Sequence, residues 1–281
     1  MVLDPILDLV NFLSRQITDV SQINFLFATV HTRLVEEVQY SSLSFQSTQP
    51  LSENVTSLFK TLTYLIRNPH VQRDVIISTP LIALSAPLFT PPHLDTLVVP
   101  FCSFFRAFVA STISDSFLDH LVQTGVVQSV FDLLGLCICD ETKETQTSDL
   151  LRFATRIISN PQVLSIFLAS NVAATLTEKL PRFSKLLTRD YFSLISTLLL
   201  LPLPTLSTIV EHVDLVSAVS LCTVSLKYSD FSTVFLRTFA KISSHCSACP
   251  GAFPHVENFL HAMADSGILE EIQARSSSQI S

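Results

Sequence analysis

Two cysteines spaced Cys-x-x-Cys, with histidines nearby, form the most chemically suggestive stretch of the sequence, HCSACPGAFPH, which opens the segment 245–261. Cys246, Cys249, His255 and His261 together offer two thiolates and two imidazoles, a ligand set found in many structural zinc sites. Zinc fingers place about twelve residues between the second cysteine and the first histidine, whereas five residues separate Cys249 from His255 here. The sequence contains no second Cys-x-x-Cys pair. A small structural-zinc protein that uses this segment is therefore kept as an alternative.

The same stretch also fits a connector between two helices. Pro250 and Gly251 favour a turn, and a cysteine before such a turn packs well as a small apolar residue. His255 and His261 would then lie six residues apart on the next helix, a spacing that points them in different directions. We therefore predict no bound metal and no other cofactor.

Residue sets that support catalysis are missing from the sequence. It has no Gly-x-Ser-x-Gly turn for a nucleophile and no His-Glu-x-x-His zinc motif. A redox role for Cys246 and Cys249 would require the pair to follow a strand in a βαβ unit, and no strand pattern precedes it. We therefore predict that the chain is not an enzyme.

The composition favours helices packed on helices. The 281-residue chain is 48% hydrophobic and 15% charged, and it has four glycines, far fewer than the roughly 7% that is usual. Its formal net charge is −7 and its basic residues are scattered, which disfavours nucleic acid as a partner. The six cysteines are too sparse for a disulfide-stapled secreted fold. Residues 1–13 lack the basic start of a signal peptide, so a cytoplasmic location is expected.

One uncharged segment is long enough to cross a bilayer. Residues 191–210 pass twenty positions without a charge, which is the length that a transmembrane helix needs. Pro202 and Pro204 lie in the middle of this segment and favour two short helices joined by a turn. A membrane is thus disfavoured as a partner, and a membrane-associated helical protein is kept as a second alternative.

Helix-start signals recur at a fixed interval along the chain. The segment 66–72 (IRNPHVQ) resembles 158–164 (ISNPQVL) at an offset of 92 residues, and half of that offset, 46, leads to Ser114, a residue type that favours helix starts. Downstream, Gly125 in the second copy aligns with Asn171 in the third. Each copy is thus predicted to be two apolar helices separated by a break, with a further helix, the leading helix, ahead of it.

The predicted helices cover most of the chain. The polar segments 41–53 and 140–148 are predicted to be connectors. Leading helices are predicted at 54–66, 97–110 and 149–158. The other predicted helices are 4–18, 20–39, the pairs within 73–88, 119–134 and 165–180, and then 190–201, 205–212, 214–226, 231–244, 255–264 and 267–274.

The three-helix unit of about 40 to 47 residues resembles the armadillo repeat. The phrase HLVQTGVVQSVFDLL at 120–134 is similar to the passage in such a repeat where one helix ends at a glycine and the next starts with an apolar pair. The resemblance covers 54–274 and implies an all-α fold, a right-handed α-solenoid (armadillo-like superhelix) of about five three-helix units. The organisation it implies is an N-terminal helical pair or cap (1–40), a repeat array (53–274) with units at 53–90, 95–138, 149–187, 190–227 and 230–274, and a disordered tail (275–281).

The aligned leading helices place three cations in one column, Lys60, Arg106 and Arg152, and Tyr64 and Arg156 share the neighbouring column. The resemblance implies that this helix lines a concave groove in which extended peptides bind. A basic column would suit an acidic or phosphorylated peptide. The chain has no tryptophan, so it departs from the nuclear-import branch of the family, whose groove carries a Trp/Asn ladder. An ordinary solvent-exposed charged face would give the same column, and both interpretations stay open.

These observations predict a non-enzymatic protein-binding scaffold or adaptor. Its partner would be an extended segment of another protein, held in the concave groove of the solenoid. Lys60, Arg106 and Arg152 are the first candidates for contacts with anionic groups, and Tyr64 and Arg156 are candidates for neighbouring contacts.

Overall fold

The computed structural model describes residues 12, 17, 19–43, 53–68, 70–71, 94–111, 115–225 and 229–277. Within these residues the chain forms fourteen α-helices and two short 3-10 helices, and it contains no strand, which confirms the predicted all-α class. The 3-10 helices are Glu141–Lys143 and Leu180–Arg182. The α-helices are α1 (Val20–Leu43), α2 (Glu53–Leu65), α3 (Leu94–Ser111), α4 (Asp115–Gln123), α5 (Val126–Ile138), α6 (Glu144–Ile157), α7 (Pro161–Ala169), α8 (Val172–Lys179), α9 (Lys185–Leu199), α10 (Leu203–His212), α11 (Leu215–Ser225), α12 (Ser229–Ala248), α13 (Pro254–Asp265) and α14 (Ile268–Ser277).

The chain divides into two compact units, Met1–Ile166 and Phe167–Ser281. In the first unit, α1 packs on α2, α2 packs on α3, and α3 packs on α6. Helix α5 packs on α4 and on α6. The helices α2, α3 and α6 are the ones that the sequence predicts to be leading helices. They are therefore successive neighbours, although more than 25 residues separate each from the next.

Phenylalanines fill the contacts between these three helices. Phe59 of α2 packs edge-on against Phe101 and Phe104 of α3, with ring centroids 5.7 and 5.8 Å apart. Phe105 extends the cluster to Phe153 of α6, at a centroid distance of 6.2 Å. All five side chains are fully buried, and an edge-to-face aromatic pair adds about 0.5–1.5 kcal/mol beyond the burial of its area. The phenylalanines thus form the core that joins the leading helices.

A bent helix pair, α4 and α5, follows α3 in the first unit. Gly125 lies between the two helices with a φ of 77°, a left-handed conformation that glycine adopts without a steric penalty, and the pair is bent by 68°. Asn171 precedes α8 at the position that the sequence aligns with Gly125. Helices α5 and α8 begin at Val126 and Val172, which are 46 residues apart. Both breaks therefore fall where the interval predicts them.

In the second unit, α11 packs on α9, α13 and α14. Helix α10 packs on α9 and α13, and α12 packs on α13 and α14. The fully buried Tyr191 of α9 shares a hydrogen bond of 2.9 Å with the hydroxyl of Thr177 on α8. Burial raises the pKa of the Tyr191 phenol far above its ordinary value, so this hydroxyl stays protonated and available for the bond.

The polar segment 140–148 is mostly helical rather than a connector. Asp140 accepts a hydrogen bond from the backbone N–H of Thr142 at 2.9 Å and caps the 3-10 helix that follows. Helix α6 then begins at Glu144, five residues before the predicted start. The segment is polar because it is a capped and partly exposed helix start, and such a start resembles a loop in composition.

Other boundaries differ in the same direction, toward longer helices. Ser184 caps α9 by accepting from the N–H of Leu187 at 3.3 Å, so α9 begins five residues before the predicted position 190. Helix α14 continues to Ser277 and includes 275–277, which the sequence assigns to a disordered tail. Several predicted segments lie outside the described residues, namely 73–88, most of 4–18, and most of 41–53.

Candidate functional site

Three neighbouring helices carry the predicted cation column. Lys60 lies on α2, Arg106 on α3 and Arg152 on α6, and α3 packs on both of the other helices. Lys60 is exposed, whereas Arg106 and Arg152 are half-buried. The structure thus brings together the helices that carry the column, but it gives the three cations different surroundings.

Arg106 is held in an ion pair. Its Nη1 donates to Oδ1 of Asp149 on α6 at 2.9 Å. The Asp149 side chain is 11% exposed and that of Arg106 is 28% exposed, so the two charges compensate each other in a partly dry environment. Arg106 therefore has an anionic partner inside the protein already, which the sequence prediction of an anion contact at this position did not include.

Sequence reasoning missed Asp149 because it placed that residue at the exposed start of a helix. With α6 beginning at Glu144, Asp149 lies in the second turn, next to the buried Thr147 and Ser148. A signal was present in the repeat register. Asp149 lies three residues before Arg152 on α6, so the two share one face of that helix. Because α6 packs on α3, this spacing places an acidic residue near the column position Arg106.

A buried thiol lies close to the Arg106–Asp149 pair. Cys102 lies one turn before Arg106 on α3 and is fully buried. Burial raises the pKa of this thiol far above its ordinary value, and the Asp149 carboxylate adds to the effect. Only a thiolate is an effective nucleophile or metal ligand. Cys102 is thus a neutral packing residue.

A second basic group extends the column on α2. Lys60, Tyr64 and Arg67 follow one another at intervals of four and three residues, which places them on one face of α2 and of the turn that follows it. The Tyr64 side chain is 37% exposed, and the Arg67 guanidinium lies 6.0 Å from the centre of its ring. Sequence reasoning named Lys60 and Tyr64 but missed Arg67, although its spacing from Tyr64 was visible.

Helix α6 presents two arginines one turn apart. Arg152 is half-buried and Arg156 is exposed, and the interval of four residues places both on one face of the helix. We define the basic surface as five residues of α2, of the turn after it and of α6: Lys60, Tyr64, Arg67, Arg152 and Arg156.

The Cys-x-x-Cys stretch forms a helix end followed by a turn, as its connector interpretation predicts. Cys246 is buried in the last turn of α12, and Cys249 is exposed just after it. Gly251 has a φ of 77°, and its backbone N–H donates to Oε1 of Glu257 on α13 at 2.7 Å. The turn is therefore closed by a carboxylate of the following helix.

The histidines of this region do not converge on the two thiols. His255 and His261 both lie on α13, and Nε2 of His255 pairs with Oε1 of Glu211 on α10 at 2.9 Å. Within the described part of the chain, no three His, Cys, Asp or Glu residues are grouped so that they could hold a metal ion. The structure thus brings Cys246 and Cys249 near one turn but does not complete a four-ligand set.

The uncharged segment 191–210 is divided between α9, which ends at Leu199, and α10, which begins at Leu203. Among the described residues, no single helix combines the length and hydropathy needed to span a bilayer, while three bent helix pairs satisfy the criteria of length and composition. These pairs are α4 with α5, α7 with α8, and α10 with α11.

Comparison with known protein families finds no match for this chain, and neither a characterised protein nor a solved structure matches it.

Proposed function

We propose that this chain is a non-enzymatic scaffold that binds other proteins in the cytoplasm. The proposed architecture is an armadillo-like, right-handed α-solenoid of about five units. Its leading helices would form a groove for an extended segment that is acidic or phosphorylated. Such arrays stack their units side by side and use the resulting extended surface for binding.

The observation that carries the proposal is the packing order of the leading helices. Helices α2, α3 and α6 are successive neighbours in the first unit, and the cation positions Lys60, Arg106 and Arg152 recur on them every 46 residues. An array of stacked units gives each leading helix the next leading helix as a neighbour. The regular interval and the regular packing therefore support the same architecture.

The Arg106–Asp149 pair changes which residues would contact an anionic ligand. Because Asp149 compensates Arg106, the proposed contacts centre on the exposed cations Lys60, Arg67 and Arg156. Arginine binds carboxylate and phosphate groups through two parallel N–H donors, a role that the exposed Arg156 would fill. Lys60 would add a flexible point charge, and the exposed ring of Tyr64 would add apolar contact area.

The test measures binding of defined peptides by fluorescence anisotropy. The probes are fluorescein-labelled peptides of about twelve residues, one rich in aspartate and one carrying phosphoserines, at ~50 mM salt so that screening is weak. The variant combines Lys60→Glu, Arg67→Glu and Arg156→Glu. We expect its Kd to rise at least about tenfold for whichever probe binds the wild type, because three attractive charges become repulsive.

A matched control separates the basic surface from net charge. Arg182→Glu, Lys185→Glu and Arg189→Glu change the same total charge at exposed positions of the second unit and should leave the Kd within about twofold, since these sites are distant in sequence from the basic surface. Equal loss in both variants would attribute binding to net charge alone. The proposal is wrong if neither probe binds the wild type, or if the first variant binds as the wild type does.

A further inference from the structure

The second unit contains an open cleft beside the turn between α9 and α10. Its volume is about 280 Å³, slightly below the range of roughly 300–1,000 Å³ that is usual for pockets that enclose small ligands. A cleft of this size fits one or two side chains better than a whole cofactor. The lining residues are Leu199, Leu200, Leu201, Pro202, Leu203, Thr238, Lys241, Ile242 and His245.

One wall of the cleft is one face of α12. Thr238, Lys241, Ile242 and His245 follow the intervals of three, four and seven residues that align side chains along a helix. Nδ1 of His245 donates to the carbonyl oxygen of Lys241 at 2.7 Å, which fixes the imidazole ring against the helix. This wall therefore has an apolar base, at Ile242, and a polar and cationic edge.

An aromatic contact positions α12 beside α9. Phe235 of α12 packs on Phe192 of α9 with ring centroids 6.4 Å apart, and both side chains are buried. The opposite wall of the cleft is the turn from Leu199 to Leu203, in which Leu200 is 59% exposed. An apolar ligand side chain in the cleft would remove this exposed area of Leu200 from water.

A cationic side chain lines the cleft. Lys241 is exposed at its rim, and Arg237, also exposed, lies one turn earlier on α12. None of the nine lining residues is acidic. A ligand that covers the leucines therefore gains from carboxylates that flank its apolar part, and a cationic ligand is repelled.

We propose that this cleft is a second docking site, separate from the basic surface, for a segment of a partner protein in which an apolar side chain is flanked by acidic residues. The apolar side chain covers Leu200 and enters the cleft over Leu203 and Ile242. The flanking carboxylates pair with Lys241 and Arg237. The site goes beyond the proposed binding of extended acidic peptides at α2, α3 and α6, because it requires an apolar anchor.

The test uses three fluorescein-labelled peptides of about ten residues. The first has a central Leu-Leu pair flanked on each side by two glutamates, the second replaces the leucines by serines, and the third replaces the glutamates by lysines. We expect the first to bind the wild type and the other two to bind at least about tenfold more weakly, since binding uses both the apolar anchor and the charges.

Variants at exposed positions assign the binding to the cleft without unfolding the protein. Leu200→Asp, and Arg237→Glu combined with Lys241→Glu, should each weaken the first peptide at least about tenfold. Leu186→Asp is the matched control, because Leu186 is 43% exposed on the same helix as Leu199 but does not line the cleft; it should change the Kd by less than about twofold.

Three results would overturn the proposal. They are no binding of the first peptide, binding of the serine peptide with the same Kd, and binding that Leu200→Asp and the double variant leave unchanged. If the first peptide does not bind, and anionic lipid vesicles bind the wild type but neither Leu200→Asp nor the double variant, the cleft would be assigned to a membrane surface instead. Because Lys60, Arg67 and Arg156 are unchanged in all of these variants, failure here leaves the proposed function standing.

Discussion

The guanidinium of Arg106 and the carboxylate of Asp149 meet at 2.9 Å, from residues 43 positions apart on α3 and α6. The same two helices are joined by the buried rings of Phe105 and Phe153, whose centroids are 6.2 Å apart. The contact between α3 and α6 therefore contains both an ion pair and a buried aromatic pair. The Arg106–Asp149 ion pair stabilises the contact between the two helices, and its arginine is also a member of the cation column.

Asp149→Asn should lower the free energy of unfolding by about 1–3 kcal/mol, because it removes a charge-assisted hydrogen bond and leaves Arg106 half-buried without its anion. Urea unfolding followed by circular dichroism gives the value. Glu36→Gln is the control: it removes the exposed pair with Arg33 on α1 and should cost at most about 1 kcal/mol. If Asp149→Asn lowers the free energy of unfolding no more than the control does, the ion pair does not stabilise the contact between α3 and α6.

Asn160 should act as a helix cap whose loss is measurable. Its side-chain oxygen accepts from the backbone N–H groups of Gln162 and Val163 at 2.9 and 3.2 Å at the start of α7, and the residue is buried. Asn160→Ala should lower the melting temperature and cost about 1–2 kcal/mol, whereas Asn160→Asp keeps the acceptor and should cost less. Equal losses for the two variants would mean that packing, rather than the cap, sets the cost.

His31 should make the first unit less stable in mild acid. The ring is buried and stacks against Phe27 at a centroid distance of 6.2 Å, and burial lowers the pKa of His31 below its ordinary value. The unfolded chain therefore binds a proton at higher pH than the folded chain does. The stability that neutral His31 provides is complete above about pH 6.5 and is lost as the pH falls below that value toward the pKa of the folded state.

Thermal unfolding at pH 7.5 and 5.5 tests this prediction. The wild type should lose more stability between the two values than His31→Gln, in which the titrating group is gone. Comparing the change with pH within each protein removes the direct cost of the substitution. Identical pH dependence in both proteins would show that His31 does not couple protonation to folding.

The six cysteines should react with iodoacetamide in two classes. Cys139 and Cys249 are exposed, and Cys102, Cys137, Cys222 and Cys246 are buried; burial also raises the pKa of Cys222 to about 12. Alkylation requires an accessible thiolate. Intact-mass measurement at pH 8 should therefore find two rapid additions in the native protein and six in urea.

The same measurement decides the zinc alternative. One equivalent of zinc should leave the rate of modification at Cys249 unchanged, because no complete ligand set lies at this turn among the residues that the structure describes. Protection of Cys249 and Cys246 together by zinc would instead establish a metal site there.

Periodicity and helix-breaking residues made the positions of the helices predictable. The alignment of Gly125 with Asn171 located the two breaks, and Pro202 located the turn between α9 and α10. Helix starts were less predictable where capping residues lie in polar stretches. Asp140 caps the 3-10 helix that leads into α6, and Ser184 caps α9. A side-chain cap makes a helical turn stable in a segment whose composition resembles a loop.

The candidate site was predictable in its positions but not in its pairings. The interval of 46 residues identified Lys60, Arg106 and Arg152, since a repeat register needs only the sequence. It could not identify Asp149 as the partner of Arg106, because the partner depends on how far α6 extends and on which turn faces α3. The cleft at Leu200 also depends on where α12 packs, which Phe192 and Phe235 determine through a contact between distant segments.

The hydrogen bond from Gly251 to Glu257 has a consequence for how this region tolerates sequence change. The turn is maintained by a residue that can adopt a φ of 77° and by a carboxylate six positions later, and neither contribution involves a thiol. In a library of single substitutions scored for folded protein, Cys249 should accept most replacements, while Gly251 should accept few besides asparagine. The reactive thiol of Cys249 would then tolerate substitution, whereas Gly251, two positions later, would not.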